Sequence, residues 1–514
     1  MGSQSLNPII KADFPEPDVI RVDDTYYMLC STKHFRPGGE ILKSNNLVNW
    51  EIVDYVFDKL ENTPSERLQG EQSQYGYGMD GCCLRYNNGK FYAVFGCQKS
   101  DTTYIFVSEN PQGPWEKKVI NKSYFNNSIL FDDDGKVYMA YGYRTIFIQE
   151  LQEDLSGVKE DGLNIEVIHD TADTYLAFCG THFQKINGRY HLLVMNWPKD
   201  TGIRTQYCFS CDTIDGEYTG GKIFGNDIGY HYQGVAQGCF VDTTKGDWYA
   251  VMFQDRGAIG RCPVLLPVKF EKGVPAIVKN AKLLKSVAEL KNNENKCESI
   301  FCSDRFECIR DSKNKFVLKK QWQWNHVPTD YLWWINDKGG LCIKTGKIST
   351  NLIHAQNTLT QRCVYPGSMV EVTLNASLIR EGDNAGICVL QGCYGFIGVT
   401  KELNQYYLVV ISRELKDSPM RDDMPDYLPG TLQERIPLKT SKVTLRIKTN
   451  FEDMEDTAEF SYKPDGATHF ECIAKKHQLY YKVDHFTGAR YGLSIFSTKT
   501  TGGFATFTDF KYKI

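Results

Sequence analysis

The residues best suited to chemistry are carboxylates and cations in the N-terminal half of the chain. Glu16, in FPEPDVIRV, and Asp80, in YGYGMDGCCLRY, are carboxylates that could move a proton. Lys33 and Arg36, in STKHFRPGG, and Arg256, in FQDRGAIGR, could stabilise negative charge that develops on an anionic or carbonyl-bearing substrate. This set predicts acid-base and electrostatic chemistry on a small molecule. A second interpretation, open for each cation and for Asp80, is an ion pair at the rim of a pocket.

A thiol and an imidazole lie close together in AFCGTHFQKING, where Cys179 precedes His182 by three residues. The pair suggests a cysteine nucleophile with a neighbouring base. On a strand, however, residues i and i+3 face opposite sides, so the two side chains do not meet without a bend. A buried, inert thiol is therefore the favoured interpretation of Cys179.

One short pattern recurs along the first half of the chain and predicts the elements that position these residues. A Gly or Asp turn is followed by alternating aromatic and apolar residues, in DDTYYML, NNGKFYAVF, DDGKVYMAYG, INGRYHLLV and KGDWYAVMF. Each copy is typical of a tight hairpin. Successive copies are about 45 to 65 residues apart, the length of a four-stranded blade. We therefore predict a five-bladed β-propeller, with hairpins of a large sandwich as the alternative.

Length and composition extend this prediction to the whole chain. At 514 residues the chain is too long for one ordinary domain, and its 13% aromatic content with 43 glycines favours strands. The propeller pattern ends before a polar segment that contains KNNENK, and alternating strands such as KVTLRIKT follow. We predict an all-β protein, with a propeller over residues 1–295 and a jelly-roll β-sandwich, of the concanavalin A-like type, over residues 296–514.

The net charge limits which partners the protein can bind, and the pattern of cysteines indicates its cellular location. The formal net charge is −4, without the basic stripe of a nucleic-acid-binding protein. The N-terminus shows no signal-peptide pattern and no stretch is apolar enough to span a membrane, so we expect no membrane partner. The 17 cysteines are scattered, which is typical of reduced thiols in the cytoplasm. The C-x-x-C pair Cys208 and Cys211 lacks a second pair for zinc.

Several long segments of the chain resemble glycoside hydrolase family 43, and in particular its β-xylosidase and α-L-arabinofuranosidase branch. The matching segments include NPIIKADFPEPDVIRVDDTYYML, ILFDDDGKVYMAYG, GVAQGCFVDTTKGDWYAVMFQDRGAIGR and, in the second domain, QWQWNH. The resemblance implies the same propeller followed by a sandwich. It also implies inverting hydrolysis, in which a carboxylate base activates water, a carboxylic acid protonates the leaving oxygen and a third carboxylate tunes the acid.

The three carboxylates that the resemblance implies map onto altered residues. The base, the Asp of P-D-P, corresponds to Glu16, and the register favours Glu16 over Asp18. The tuning Asp corresponds to Asn126, which keeps hydrogen bonding but carries no charge. The acid corresponds to Cys179, and a thiol is a poor proton donor compared with a tuned carboxylic acid.

Other positions of the implied pocket also differ from the family pattern. Asp80 stands where relatives have a Trp, Arg256 stands where His is common, and Arg261 is retained. Ala236 takes the place of a His found in some relatives, so we predict no catalytic metal and no cofactor. The predicted substrate-binding residues are Lys33, His34, Arg36, His182, Gln237, Arg256 and Arg261.

Three functions follow from these substitutions. The first is recruitment of the pocket to a non-hydrolytic cyclisation, rearrangement, elimination or addition on a small organic molecule, because cations and thiols have replaced acidic and apolar groups. The second is an active β-xylosidase or α-L-arabinofuranosidase with Glu16 as its base. The third is a catalytically inactive carbohydrate-binding protein. In each case the expected partner is a small molecule or short saccharide in the propeller channel, and the oligomeric state is not predicted.

Overall fold

The computed structural model describes residues 7–278, 297–414, 428–480 and 487–514. The described residues form β-strands joined by turns, with 3-10 helices at Gln98–Ser100, Asp330–Leu332, Leu352–His354 and Glu452–Met454. The predicted domain boundary at residues 295 and 296 lies outside the described residues. Among those residues, no helix has the length and apolar character needed to cross a membrane.

The first half of the chain is a propeller of five blades, each a four-stranded antiparallel sheet. Blade 1 contains β1 (Asp18–Val22), β2 (Thr25–Cys30), β4 (Gly38–Ser44) and β5 (Glu51–Phe57), with the short β3 (Phe35–Arg36) between them. Blade 2 contains β6 (Asp80–Asn87), β7 (Lys90–Cys97), β8 (Thr102–Ser108) and β9 (Glu116–Ile120). Blade 3 contains β10 (Ser128–Phe131), β11 (Val137–Tyr143), β12 (Thr145–Leu151) and β13 (Asn164–His169). Blade 4 contains β14 (Thr174–Ile186), β15 (Arg189–Pro198), β16 (Thr205–Cys211) and β17 (Thr219–Phe224), and blade 5 contains β18 (Val235–Asp242), β19 (Trp248–Asp255), β20 (Arg261–Glu271) and β21 (Val274–Ile277).

The recurring sequence pattern forms the turn between the first and second strands of every blade. In blade 2, for example, Asn88 and Gly89 both have positive φ, 48° and 77°, as a tight hairpin turn requires. The first strands contact one another in a ring, and β1 of blade 1 contacts β18 of blade 5, which closes it. The predicted five-bladed propeller is confirmed, with the first strand of each blade lining the central channel.

The second half of the chain is a sandwich of two antiparallel sheets. One sheet has eight strands, in the order β3, β22 (Gln323–Asn325), β25 (Leu359–Arg362), β34 (Arg490–Ser497), β27 (Asp383–Leu390), β28 (Gly395–Glu402), β29 (Gln405–Ser412) and β30 (Thr431–Leu438). The other has seven, in the order β23 (Trp333–Ile335), β24 (Leu341–Lys344), β35 (Phe504–Lys513), β26 (Gly367–Asn375), β31 (Lys442–Asn450), β32 (Thr457–Pro464) and β33 (Glu471–Gln478). The predicted C-terminal β-sandwich is confirmed.

The propeller and the sandwich share a strand pairing and a buried ion pair. Strand β3, which belongs to blade 1 by sequence, pairs with β22 at the edge of the eight-stranded sheet. Next to this pairing, Arg362 of the sandwich donates to both carboxylate oxygens of Glu40 in blade 1, and both side chains are buried. The two halves are therefore held in a fixed orientation at the side of the propeller that carries blade 1.

A second contact between the halves involves the carboxylate of Asp456. The backbone N–H of Ala258, in blade 5, donates to Asp456 Oδ2 over 2.8 Å, whereas Oδ1 is buried and accepts no hydrogen bond from the described residues. Burial raises the pKa of Asp456 to about 6, although the Ala258 N–H opposes this change. The contact is therefore weakened by a buried charge at neutral pH.

We expect Asp456→Asn to change how stability depends on pH. Because the pKa of Asp456 is raised on folding, the folded state binds the proton more tightly, and the free energy of unfolding falls as pH rises from about 4 to about 6. The asparagine variant should therefore be more stable than the wild type by about 3 kcal/mol above pH 7, with no difference near pH 4. Denaturant unfolding of both proteins at the two pH values checks this, and an equal difference at both would contradict it.

Candidate active site

The site lies where the first strands of the blades begin, around the carboxylate of Glu16. Glu16 is held between Pro15 and Pro17 with φ of 55°, and this strained backbone directs its side chain into the channel. Arg261 Nη1 is 3.3 Å from Oε1, and the backbone N–H of Gly81 donates to Oε2 over 3.1 Å. The carboxylate is therefore clamped by a guanidinium on one side and a peptide N–H on the other.

Lys33 extends this clamp into a row of alternating charges. Its Nζ lies 3.7 Å from Glu16 Oε2 and 3.7 Å from Asp80 Oδ1. Asp80 also accepts a hydrogen bond from the backbone N–H of Gln98 over 2.8 Å. Lys33, one of the charges predicted from sequence, thus lies between Glu16 and a second one, Asp80. The row has the order Arg261, Glu16, Lys33, Asp80, and it leaves little net charge in this wall.

Asn126 lies next to Gly81, the residue whose backbone N–H donates to Glu16. A side chain in place of Gly81 would approach Asn126 Oδ1 to 2.9 Å, so the peptide that donates to Glu16 also packs against Asn126. Asn126 has φ of 48°, which an asparagine tolerates better than most residues, and its carbonyl accepts a hydrogen bond from the Thr181 hydroxyl. The Asn126 amide therefore supplies polarity without charge close to Glu16, and its assignment to the tuning position stays a prediction.

Cys179 occupies an apolar part of the same pocket. It packs in a small cluster with Met195 and Ala236, against which Phe125 and Leu176 also pack, and its Sγ lies 3.5 Å from Met195 Sδ. Burial raises the pKa of the Cys179 thiol to about 12, although the charges of Arg204 and Arg261 oppose this change. The thiol is consequently a weak acid and is not ionised at neutral pH.

Gln237 forms the wall next to this cluster. A side chain at Gly180, which has φ of 63°, would come within 2.6 Å of the Gln237 side chain, so glycine is required there. The backbone N–H of Gln237 donates to Gln206 Oε1 over 2.7 Å. The predicted substrate-binding role of Gln237 is therefore compatible with its place beside Cys179.

Sequence reasoning missed two residues of the charged wall. Asp255 lies opposite Arg261 in the pairing of β19 with β20, with Oδ1 3.5 Å from Arg261 Nε. Arg204, at the start of β16, lies 2.7 Å from Asp255 Oδ2 through Nη1. Asp255 is in FQDRGAIGR, a segment that resembles the family, but only strand pairing brings it next to Arg261.

His34 and Arg36 lie away from Glu16, at the junction with the sandwich. His34 stacks on Phe35 and lies 4.7 Å from the ring of His326, which belongs to the sandwich. Arg36 is buried and pairs with Glu66 over 3.4 Å. The sequence left open that Arg36 forms an ion pair at the rim of a pocket. The structure shows an ion pair of Arg36 with Glu66, but this pair is buried.

Arg256 also lies apart from the row of charges. Its guanidinium stacks over the Tyr230 ring at 4.0 Å and faces the Tyr365 ring of the sandwich at 5.4 Å. Its Nε donates to Gln254 Oε1 over 3.1 Å. Arg256 therefore joins the propeller to the sandwich through aromatic contacts.

His182 lies on the same strand as Cys179, and the two have different partners. His182 Nδ1 is 3.4 Å from Asp18 Oδ1, and burial lowers the pKa of this imidazole. Burial alone would raise the pKa of Asp18, but His182 and Arg85 lower it to about 2. Cys239 lies close to both residues: one carboxylate oxygen, one imidazole nitrogen and the thiol sulfur are all within 4.8 Å of one another.

Comparisons with known proteins agree with this architecture. The model of glycosyl hydrolases family 43 matches residues 5–275, and that of the beta xylosidase C-terminal concanavalin A-like domain matches residues 311–513. A beta-xylosidase of Formosa agariphila is 24% identical over 77% of this chain and 74% of its own length. A non-reducing end alpha-L-arabinofuranosidase of Bacteroides ovatus is 24% identical over 91% of this chain and 86% of its own length.

Among solved structures, a bifunctional GH43-CE protein of Bacteroides eggerthii superposes with a TM-score of 0.88 at 33% identity. The superposition covers 99% of this chain and 63% of the Bacteroides eggerthii protein, which is longer. A five-bladed propeller with a row of buried charged side chains at its centre, followed by this sandwich, is the architecture of a glycoside hydrolase-like protein. The chain belongs to glycosyl hydrolases family 43, and its relatives include xylosidases and arabinofuranosidases.

Proposed function

We propose that the propeller pocket binds a short pentose-containing saccharide and does not hydrolyse it by the two-carboxylate route of the family. The observation that carries this proposal is the state of Cys179. At the position of the implied proton donor, a thiol whose pKa is about 12 lies among Met195 and Ala236. Such a group cannot protonate a leaving sugar oxygen at a useful rate, because efficient acid catalysis needs a pKa near the working pH.

The state of Glu16 supports the same proposal. In an inverting enzyme the base must accept a proton from water that it holds against the sugar. Here each oxygen of Glu16 has a cation near it, Arg261 at 3.3 Å and Lys33 at 3.7 Å, and the backbone N–H of Gly81 donates to Oε2. A water held by Glu16 would have to compete with these three partners.

The saccharide part of the proposal rests on the relatives and on aromatic side chains beside the pocket. Phe125, which packs against the Cys179 cluster, lies edge-on to Tyr143, and Tyr143 is 49% exposed. Tyr175 precedes Leu176, which packs against the same cluster; its side chain is 62% exposed and its ring lies 5.4 Å from that of Trp197. Exposed aromatic rings that combine an apolar face with a polar group suit the apolar face and hydroxyl groups of a sugar.

Ligand-induced stabilisation tests the proposal. We expect xylobiose, xylotriose or an arabinose disaccharide to raise the melting temperature of the wild type in a saturable way, with no sugar released. Tyr175→Ala should weaken this effect about tenfold or more, whereas Tyr331→Ala, which removes an 81% exposed tyrosine of the sandwich, should not. If no saccharide shifts the melting temperature, or if both variants behave alike, the proposal is wrong.

A second candidate function, recruitment to non-hydrolytic acid-base chemistry, is favoured by the position of Lys33. Its ammonium lies between two carboxylates, Glu16 and Asp80, so a carbonyl-bearing substrate at this place would lie beside a hydrogen-bond donor and groups that could move protons. Thermal shifts with a panel of small carboxylic and keto acids distinguish the two functions. A shift that Lys33→Met abolishes, with none from pentose saccharides, would favour recruitment.

The cytoplasmic location remains a prediction. All 17 cysteines are free thiols, including the sequence neighbours Cys82 and Cys83 in blade 2, and this arrangement suits a reducing compartment. Fractionation of the source cells would test it.

A further inference from the structure

Arg256 is a buried arginine whose two terminal nitrogens have no partner in the part of the chain that the structure describes. The residue is 6% exposed, and its side chain donates one hydrogen bond, from Nε to Gln254 Oε1. Nη1 and Nη2 form no hydrogen bond or ion pair with the described residues, and neither atom is fully enclosed. Other buried arginines differ, because each of the following forms an ion pair with a carboxylate: Arg36, Arg204, Arg261 and Arg362.

Two aromatic rings compensate only part of this buried charge. The Arg256 Cζ lies 4.0 Å from the centre of the Tyr230 ring and 5.4 Å from that of the Tyr365 ring. Ring faces attract a cation, but they do not replace the hydrogen-bond acceptors that the terminal N–H groups lose when water is removed. The protein therefore holds a guanidinium at the junction of propeller and sandwich without supplying the anion that normally accompanies one in such a place.

The loop before blade 5 fixes the position of this guanidinium. Gln254 is fully buried, and its Nε2 donates to the carbonyls of Asp227 and Gln233 over 2.7 and 2.8 Å, which directs Oε1 to Arg256. Tyr230 lies between these two residues in the same loop. A side chain that is fixed before a ligand arrives loses little conformational entropy on binding. The arrangement is therefore that of a prepared site for an anion.

We propose that Arg256 binds the carboxylate of an acidic ligand at the junction of the propeller and the sandwich. The edge of a guanidinium presents parallel N–H groups that match the two oxygens of a carboxylate. One cation without an anion balances a carboxylate, whereas a phosphate carries more than one negative charge near neutral pH. The Tyr230 and Tyr365 rings add an apolar surface beside the charge, which suits an organic acid better than an inorganic anion.

Two kinds of ligand carry such a group, a uronic acid residue of a saccharide and a free small organic acid. Arg256 directly follows Asp255, which pairs with Arg204 and Arg261 in the charged wall of the pocket. The Arg256 site and the pocket therefore lie at the same end of the propeller. The inference does not require that the pocket binds a pentose saccharide, because the carboxylate contacts Arg256 and not the row of charges around Glu16.

The test compares sodium glucuronate with glucuronamide, which has the same sugar ring and a neutral amide in place of the carboxylate. We expect glucuronate to raise the melting temperature of the full chain in a saturable way, and glucuronamide to bind at least about tenfold more weakly. Acetate distinguishes the two sources: a shift from glucuronate alone indicates a uronic acid, and equal shifts from both indicate a free organic acid. No shift from glucuronate or acetate, equal shifts from glucuronate and glucuronamide, or a larger shift from inorganic phosphate would overturn the proposal.

Variants test whether the carboxylate binds at Arg256. Arg256→Met should lose most of the glucuronate shift, and Arg256→Lys, which keeps the charge but not the planar fork, should bind glucuronate about tenfold more weakly. Arg310→Met is the matched control, because it removes an exposed guanidinium that stacks on the Phe316 ring at 3.8 Å, and it should bind as the wild type does. Binding that Lys33→Met abolishes and Arg256→Lys leaves unchanged would place the carboxylate in the pocket and overturn the proposal. The comparison of glucuronate with glucuronamide on the wild type stays decisive if Arg256→Met does not fold.

Discussion

The variant Glu16→Asp/Asn126→Asp/Cys179→Glu is expected to hydrolyse xylobiose or an arabinose disaccharide at least about 100-fold faster than the wild type. The three changes install the base, the tuning carboxylate and the acid that the family resemblance implies. Each proton transfer by a positioned group contributes roughly 10²- to 10⁴-fold, so restoring the acid alone supplies a measurable gain. Because Asn126 lies next to Gly81, which donates to Glu16, and Cys179 shares their pocket, the new carboxylates would converge on one site. Release of free pentose measures the result.

The matched control replaces Cys179 with Gln instead of Glu in the same background. Glutamine has the size of glutamate but no acidic proton, so hydrolysis of the disaccharide should return to the wild-type rate. Aryl glycosides sharpen the comparison, because a good leaving group needs little protonation and depends less on the acid. If the variants with Glu and with Gln at position 179 hydrolyse disaccharides at equal rates, the missing acid does not explain the low activity expected of the wild type.

The second large effect is expected on stability, from Arg362→Met. Arg362 and Glu40 are 4% and 0% exposed, and Arg362 also donates from Nε to the carbonyl of Asp13 over 2.6 Å. Removing the guanidinium leaves the Glu40 carboxylate buried without its cation, and breaking a buried pair in this way costs about 3–5 kcal/mol. We expect the midpoint of denaturant unfolding to fall accordingly, with the sandwich separating from the propeller at lower denaturant.

Two further variants distinguish a buried charge from lost packing. Adding Glu40→Leu to Arg362→Met removes both charges and should recover much of the stability, because an apolar pair of similar size often substitutes without loss. Arg435→Met disrupts an exposed ion pair, with Glu402 at 2.6 Å, and should cost less than about 1 kcal/mol. A cost for Arg362→Met as small as that for Arg435→Met would contradict the importance of the buried pair.

The fold could be predicted from sequence because its signals are local. A hairpin turn and the alternation after it depend on neighbouring residues, and INGRYHLLV carries both within nine positions. Asn187 and Gly188 form that turn with φ of 52° and 80°, between β14 and β15. The same pattern repeated five times defines the propeller, so counting the repeats predicted the number of blades.

The site was less predictable because it depends on which side chains from different blades point into the same part of the central channel. Lys33, His34 and Arg36 are close in sequence, yet Lys33 faces Glu16 while the other two enter the junction with the sandwich. The turn before β3 separates them, and no period in the sequence marks it. Asp255 was missed for the same reason, since its role follows only from pairing with Arg261.

The most direct test of the central claim measures binding and turnover on one wild-type sample. The protein is incubated overnight with xylobiose and with an arabinose disaccharide at concentrations that saturate the thermal shift, and free pentose is quantified. We predict a saturable shift and no pentose above the protein-free control. Pentose release that Glu16→Gln abolishes would contradict the account, because it would show that the pocket retains an acid and a working base.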